Sequence, residues 1–359
     1  MNKIKLVLPT ILMLLVFVSS PSVLMGTTTV DSGVNDSKFI MKNKITMPIE
    51  EEAIRTTNTQ NIRIVVSTTT DVISSRISEI IAPNYTPATN TSKVGLINSD
   101  YWFKPPMGLS AGDDTAKYGV WSNLSLTLSE NDKKETESDA TLGMGIIGAD
   151  YQISPKILAG VALSYENNDQ DTTFNLGHID QDGISLIPYF GFLFNDMISF
   201  DVMGSYSWLN IDQDRLNGIE NQSFDSKRWF ISANVNGYYS INETTNLTAF
   251  AEYTFRNEDH EQKIFNKNET TELGTITVGT EIGRLINANF EAYANLAYSY
   301  DTTYEKMDIL SYDRDAFTLG TGARLTVINN LSFDFNLTTE LGREDQDQLT
   351  GMLNIRYAF

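Results

Sequence analysis

The feature that most constrains this sequence is a two-residue alternation of apolar and polar side chains, repeated in segments of about ten residues from about Tyr118 onward. One segment sets Phe200, Val202, Gly204, Tyr206 and Trp208 against Asp201, Met203, Ser205 and Ser207. Successive side chains of a strand point to opposite faces, so each segment predicts a strand with one apolar face. A soluble β-sandwich also alternates, but its strands have about five or six residues, whereas a tilted membrane strand needs about 9–11. The pattern therefore favours a membrane-spanning β-barrel.

The positions of aromatic residues and of the links support this interpretation. Tyr and Trp fall near the predicted strand ends, where their rings would lie at the lipid–water boundary, at Tyr165, Trp208, Trp229, Tyr239, Tyr253, Tyr298 and Tyr357. Short links alternate with longer polar links around 130–139, 167–183, 210–227, 257–272, 301–315 and 342–348. Short turns are typical of the periplasmic side and long loops of the outside. We predict an all-β, antiparallel, up-and-down transmembrane barrel of about 12 strands over residues 117–359.

The first residues predict export. A basic start at Lys3 and Lys5 precedes an apolar run, and small residues follow it, which is the pattern of a signal peptide over residues 1–26. Cleavage after Ser22 and cleavage after Gly26 both fit the small-residue rule. Such a peptide requires the Sec export machinery as a partner. The sequence has no cysteine, which excludes disulfides and attachment of lipid to cysteine.

A helix is predicted between the export signal and the barrel. Residues 27–60 have no sustained period and are expected to be flexible. Within 61–83, apolar residues recur at offsets of three and four until Pro83, while the polar face carries Arg63, Asp71 and Glu79. At about 1.5 Å per residue the helix would nearly match the bilayer core, so we place it inside the barrel lumen, with 84–116 as a linker. A periplasmic helix and a strand over Ile62–Val66 are the alternatives.

Composition and motifs exclude some functions and leave others without support. A net charge of −20 argues against binding to nucleic acid. The only histidines, His178 and His260, lie outside any nucleophile motif, and no spacing fits a zinc site. We therefore expect no enzyme, no metal and no cofactor. Acidic Asp-Gln-Asp triplets recur in the predicted loops, at 169–171, 180–182, 212–214 and 345–347. A hydrated surface explains these triplets better than a Ca²⁺ or Mg²⁺ site does.

Several motifs resemble the autotransporter β-domain of type V secretion. They are Gly108–Asp113 with Tyr118–Trp121, Gly148–Pro155 with Leu158–Tyr165, and the terminal Tyr357–Phe359, and together they cover about residues 100–359. The resemblance implies a twelve-stranded barrel with an N-terminal helix through its pore, which delivers an N-terminal passenger to the cell surface. Here only about 35 residues separate the signal peptide from the helix, fewer than the roughly 40 that a small fold needs even with help.

The same resemblance raises the question of self-cleavage, because some members cut their own passenger with an asparagine on the helix and acidic residues in the lumen. Asn61 matches such an asparagine only by residue type, and Glu252, Glu281 and Glu291 are the predicted lumenal carboxylates. Polar lumens normally also contain opposed charges, here Arg256, Arg324 and Arg356. We therefore prefer a structural role for these residues.

The sequence thus predicts an outer-membrane translocator barrel of a Gram-negative bacterium with little or no passenger. It would display acidic loops and a short N-terminal segment, in contact with outer-membrane lipid and lipopolysaccharide. A small-solute channel and a loop-mediated adhesin are the alternatives, and no surface ligand is identified. The outward row Leu353, Ile355, Tyr357 and Phe359 resembles the C-terminal signal that the outer-membrane barrel assembly machinery recognises.

Overall fold

The computed structural model describes residues 47–81, 117–262, 267–287, 289–303, 313–328 and 331–358. The predicted signal peptide, the predicted linker 84–116 and Phe359 lie outside these ranges. The described ranges form one long helix, α1 (Met47–Ile81), a short 3₁₀ turn (Thr173–Asn175) and twelve strands. The strands are β1 (Tyr118–Asn131), β2 (Ser138–Ser154), β3 (Ile157–Thr172), β4 (Gly177–Asn195), β5 (Ile198–Arg215), β6 (Glu220–Asn242), β7 (Thr245–Gln262), β8 (Lys267–Asn287), β9 (Phe290–Thr303), β10 (Asp315–Ile328), β11 (Leu331–Leu341) and β12 (Gln346–Ala358).

The strands close into a barrel, which confirms the predicted fold. Each strand pairs antiparallel with its neighbours in sequence, and β1 closes the ring by pairing with β12 from Gly119↔Ala358 to Asn131↔Gln346. Closure leaves no edge strand, so every strand of the ring has a partner on both sides, as lipid requires. The predicted short links are the turns 155–156, 196–197 and 243–244, and they mark the periplasmic mouth, where β1 begins and β12 ends.

The predicted alternation places side chains as expected. On β5, Phe200, Val202 and Trp208 face outward and are exposed, while Asp201 and Met203 point into the lumen and are buried. On β12, Met352, Asn354 and Arg356 are buried and Tyr357 is exposed, so the described part of the predicted assembly signal lies on the outer face. The strands themselves have the length and the outward apolar face that crossing a membrane requires. Within the part of the chain that the structure describes, no helix has both the length and the hydropathy of a membrane-spanning helix.

Two of the predicted long outside loops, 167–183 and 210–227, are much shorter in the structure. β3 continues to Thr172 and β4 begins at Gly177, and β5 and β6 are joined by residues 216–219 alone, a tight turn with positive φ at Leu216, Asn217 and Gly218. The acidic triplets of 169–171, 180–182 and 212–214 therefore lie on strand ends. Their aspartates face outward while Gln170, Gln181 and Gln213 point inward and are buried, so the Asp-Gln-Asp pattern is itself a strand alternation.

The helix is also longer than predicted, since it begins at Met47 and not at Asn61. Part of the segment expected to be flexible is therefore helical. The upper half of α1 is buried on nearly all sides, so it shows no two-faced pattern. Two of its threonines satisfy their hydroxyls within the helix, as Thr56 donates to the carbonyl of Glu52 (2.9 Å) and Thr59 to that of Arg55 (2.8 Å).

Candidate functional site: the lumenal helix and the cavity beside it

The helix α1 lies in the barrel lumen with its N-terminal end at the extracellular mouth. Near that end, Arg215, the last residue of β5, donates from Nε to Glu50 (2.8 Å). Near the other end, Arg76 binds Asp150 of β2, and Glu79 pairs with Arg356 of β12, close to where that strand ends. The chain therefore runs down the lumen from the extracellular to the periplasmic mouth.

One face of α1 packs against one side of the inner wall. Ile73, Ile77 and Ile81 are fully buried there. They belong to one buried apolar cluster with inward residues that are concentrated on β1 to β5: Trp121, Leu142, Met144, Ile146, Leu158, Ala162, Ile187, Tyr189, Leu193 and Met203. Gly191 permits the close approach, because a Cβ at that position would lie 2.3 Å from Cγ2 of Ile77. Each fully buried Ile contributes roughly 1.5–3 kcal/mol, so this contact fixes the helix to the β1–β5 wall.

Polar contacts fix the rotation and depth of the helix. Arg76 donates to Asp150 from Nε (2.8 Å) and Nη2 (3.1 Å), a bidentate pair in which both residues are buried. Ser74 donates to Asp201 (2.8 Å), Gln60 to Ser129 (2.8 Å) and Asn61 to Gln170 (2.8 Å). Two of the three predicted polar-face residues, Arg63 and Glu79, pair with Asp301 and Arg356 of the wall. The third, Asp71, points into open space.

An aromatic network under the Arg76–Asp150 pair was not predicted. Trp121 donates from Nε1 to the Tyr189 hydroxyl (2.9 Å), and that hydroxyl in turn lies 3.4 Å from a carboxylate oxygen of Asp150. The rings fit only because glycines lie beneath them, since a Cβ at Gly148 would lie 2.3 Å from the Trp121 ring and one at Gly160 would lie 2.2 Å from the Tyr189 ring. Glycines inside alternating strands were the available signal, because such glycines often mark close approach by another group.

The other side of the helix borders a polar cavity of about 340 Å³. It lies between the polar face of α1 and the inner wall of β6 to β12, and its lining reaches the β6–β7 turn at the periplasmic mouth. Among the described residues, the lining includes eight carboxylates and three guanidinium groups: Asp71, Glu79, Glu243, Glu252, Glu281, Glu291, Asp334 and Glu340, with Arg63, Arg256 and Arg324. The lumen is therefore divided between a packed wall and an acidic cavity.

The structure separates the residues that self-cleavage would require. Glu281 and Glu291 surround Arg324 at 2.9 and 3.5 Å, and Glu252 accepts from Thr254 (2.8 Å) and Thr70 (3.3 Å). Asn61 instead bonds Gln170 and lies about 13 Å further up the helix axis than Thr70. The predicted carboxylates thus serve ion pairs and hydrogen bonds in the lumen, and the structure does not bring Asn61 to them.

The histidines occupy two different environments. His178 is at the outer end of β4, with Nδ1 2.9 Å from Asp171. His260 is buried on β7 beside Ser226 and Glu258, a grouping that sequence reasoning missed because strand register creates it. Both partners contact the same ring nitrogen at 3.4 Å, whereas a nucleophile relay needs them on opposite nitrogens. Within the described ranges, no three His, Asp or Glu side chains are arranged to hold a metal ion.

Comparisons with known proteins agree with this geometry. The family model described as Autotransporter beta-domain matches residues 120–338. The translocator domain of the autotransporter NalP from Neisseria meningitidis is 13% identical, covers 69% of this chain and 91% of its own, and has a TM-score of 0.57. The β-domain of the Bordetella autotransporter Brka shares the fold, with 14% identity, a TM-score of 0.57, and coverage of 68% of this chain and 100% of its own. The transport unit of the autotransporter AIDA-I from Escherichia coli also shares it, with 16% identity, a TM-score of 0.56, and coverage of 70% of this chain and 93% of its own. No curated protein matches the chain in sequence.

Proposed function

Because this chain belongs to the autotransporter β-domain family and forms an outer-membrane translocator barrel, we propose that it displays a short N-terminal segment at the cell surface and carries little or no passenger. The observation that supports the proposal is the direction of α1. Glu50 is held at the extracellular mouth by Arg215, so the residues that precede the helix would continue outward from there. With export and cleavage near Gly26, about 20 residues would precede Met47, too few for a folded domain.

The outer ends of β3, β4 and β5 would form the second displayed element. Asp169, Asp180 and Asp212 lie directly opposite one another on these strands and all face outward. Like charges in directly opposed positions repel, so they favour a hydrated surface over lipid contact. Export by the Sec machinery, insertion by the barrel assembly machinery and contact with lipopolysaccharide complete the proposal.

Labelling of a single cysteine tests the position of the N-terminal segment, since the natural sequence has no cysteine. A Ser37→Cys variant on intact cells should react with a membrane-impermeant maleimide. The matched control is Ser154→Cys at the periplasmic end of β2, which should react only after the outer membrane is permeabilised. If position 37 is protected as fully as position 154 in an intact barrel, the segment is not displayed and the proposal is wrong.

A small-solute channel is the second candidate, and the cavity beside α1 is the observation that favours it. The helix occupies much of the lumen, so the intact barrel should conduct weakly in planar bilayers. A large steady conductance with α1 in place would favour the channel over the display role. An adhesin acting through the acidic strand ends is tested by replacing Asp169, Asp180 and Asp212 with Asn, because surface binding that persists would count against it.

A further inference from the structure

Two extracellular turns of the described chain carry exposed aliphatic side chains above acidic strand ends. Leu176 lies in the β3–β4 turn, and Leu216 and Ile219 lie in the β5–β6 turn, with exposures of 43%, 37% and 74%. We call these three residues the apolar tip. Exposed apolar patches rimmed by polar residues mark interaction sites. We propose that the apolar tip is a docking surface for a second protein that offers an apolar pocket bordered by basic side chains.

The two turns are joined to each other although they belong to different hairpins. Leu216 donates its backbone N–H to the Asn175 carbonyl (3.1 Å), and Asn217 donates to the Leu176 carbonyl (2.8 Å). On the inward side of the same strand ends lies a buried apolar cluster of Ile179, Ile211 and Phe224. The apolar tip is therefore presented on hydrogen-bonded backbone with packed residues beneath it, and such preorganisation lowers the entropy cost of binding.

Two of the three tip residues adopt a backbone conformation that disfavours their side chain. Leu176 has φ 55° and ψ 45°, and Leu216 has φ 53°, so both lie in the left-handed region. Gly and Asn occupy this region most readily, whereas a leucine there costs free energy. The next two positions of the β5–β6 turn are indeed Asn217 and Gly218. An unfavourable conformation that persists at an exposed position points to a function for the side chain.

The strand ends around the apolar tip are acidic, which determines the charge that a partner needs. Five aspartates face outward there: Asp169, Asp171, Asp180, Asp212 and Asp214. The cations of the same strand ends are paired, since Arg215 binds Glu50 and Glu220, and His178 lies 2.9 Å from Asp171. The neighbouring β1–β2 loop, residues 132–137, adds three carboxylates and two lysines. The region thus keeps a net negative charge, which attracts basic groups and repels an anionic lipid surface.

The inference rests on the proposed display of these strand ends, because a partner can reach the apolar tip only from outside. It goes beyond that role in assigning the contact to the aliphatic residues of the turns. The aspartates steer a basic partner and the apolar tip fills its pocket. Charge alone therefore should not be sufficient for tight binding.

Supports of stated chemistry test the docking surface with the full barrel in phosphatidylcholine nanodiscs. A support that carries octyl chains and primary amines imitates the partner, and supports with amines alone or with octyl chains and carboxylates are the comparisons. After subtraction of empty nanodiscs, the natural barrel should bind the octyl–amine support about tenfold or more tightly than it binds either comparison support. It should also bind that support about tenfold or more tightly than a triple variant, Leu176→Asn with Leu216→Asn and Ile219→Asn, does. Met197→Asn, at an exposed apolar position of the periplasmic β4–β5 turn, should leave binding unchanged.

The triple variant also separates docking from folding. Asn adopts the left-handed conformation more readily than Leu, so the variant barrel should be at least as stable as the natural one in a heat-modifiability assay. Earlier unfolding would assign the leucines to the fold and overturn the proposal. Equal binding of the two barrels, or equal binding of the natural barrel to the octyl–amine support and either comparison support, would also overturn it. Tighter binding to phosphatidylcholine vesicles than to the octyl–amine support would assign the apolar tip to lipid and overturn the protein partner.

Cysteine labelling on intact cells distinguishes failure of this proposal from failure of the display role. Ser223 is exposed on β6 directly opposite Asp212, so Ser223→Cys should react with a membrane-impermeant maleimide. Labelling together with equal binding of the natural and triple-variant barrels would reject the docking surface and leave the display role standing. Protection of position 223 in an intact barrel would overturn both.

Discussion

The Arg76–Asp150 pair should hold α1 in the lumen, and removing one partner should release the lower half of the helix. Both residues are buried, at 2% and 6% exposure, and two hydrogen bonds of 2.8 and 3.1 Å join them. Arg76→Met leaves the Asp150 carboxylate buried, and among the described residues the Tyr189 hydroxyl, at 3.4 Å, is its remaining side-chain hydrogen-bond contact. Breaking a buried pair from one side costs about 3–5 kcal/mol. Since about 1.4 kcal/mol is a factor of ten, the undocked population should rise roughly 10²- to 4 × 10³-fold.

Hydrogen exchange of the α1 backbone amides measures this population, because exchange in the lower helix requires undocking. Arg76→Met and Asp150→Asn should each accelerate exchange in a peptide covering residues 72–80, and Lys227→Met, at an exposed outward position on β6, should not. The double variant should be less destabilised than the sum of the single variants by at least about 1.5 kcal/mol, because neither charge is then left alone. Additive effects, or faster exchange that is equal in β4, would show that this pair does not dock the helix.

Three further predictions concern the wall, the pore and the C-terminus. Gly160→Ala should destabilise the barrel by about 1–3 kcal/mol in heat-modifiability assays, because the new Cβ meets the Tyr189 ring. Gly143→Ala, whose Cβ would lie 4.0 Å from its nearest neighbour, should be neutral or stabilising. Equal effects of the two substitutions would contradict this reason. Deleting residues 47–81 should raise single-channel conductance by at least about fivefold, because a helix with its side chains fills a cylinder about 10 Å wide, and an unchanged conductance would mean that α1 does not occupy the pore. Phe359→Lys should reduce membrane insertion while Phe359→Tyr preserves it, and wild-type levels of the heat-modifiable Phe359→Lys barrel would refute the assembly-signal role.

The barrel could be predicted because the alternation that forms each strand is visible within a short stretch of sequence. Each strand repeats a two-residue period, and lipid on one side with a polar lumen on the other imposes that period on segments such as 200–208. The strand ends beyond the membrane were predicted as loops because their outward faces are polar and their inward faces carry few apolar residues, Ile179, Ile211 and Phe224 among them. Gln170, Gln181 and Gln213 nevertheless alternate with aspartates, so a more consistent use of the period would have extended β3, β4 and β5.

The upper part of α1 could not be predicted by the same reasoning. Helical periodicity appears when only one face is buried, and here Gln60 and Asn61 face polar partners on the wall, Ser129 and Gln170. Those contacts join residues far apart in the chain, so nothing local in the sequence indicates them. The same limit applies to the cavity, since the distance between Asp71 and its neighbour Glu252 depends on how the helix is rotated in the lumen.

That rotation is encoded in the inner wall. Inward positions of a barrel are usually polar, yet on β2 to β5 they include Met144, Ile146, Leu158, Ile187 and Met203. The wall formed by β7 to β12 instead presents Glu252, Glu281 and Asp334. An amphipathic helix can satisfy both walls in only one rotation, because turning it by about 100°, one residue, would bring Asp71 towards the isoleucine side and Ile73 or Ile77 towards carboxylates. The lumenal asymmetry therefore fixes the docked helix and, through it, keeps the acidic cavity open on the opposite side.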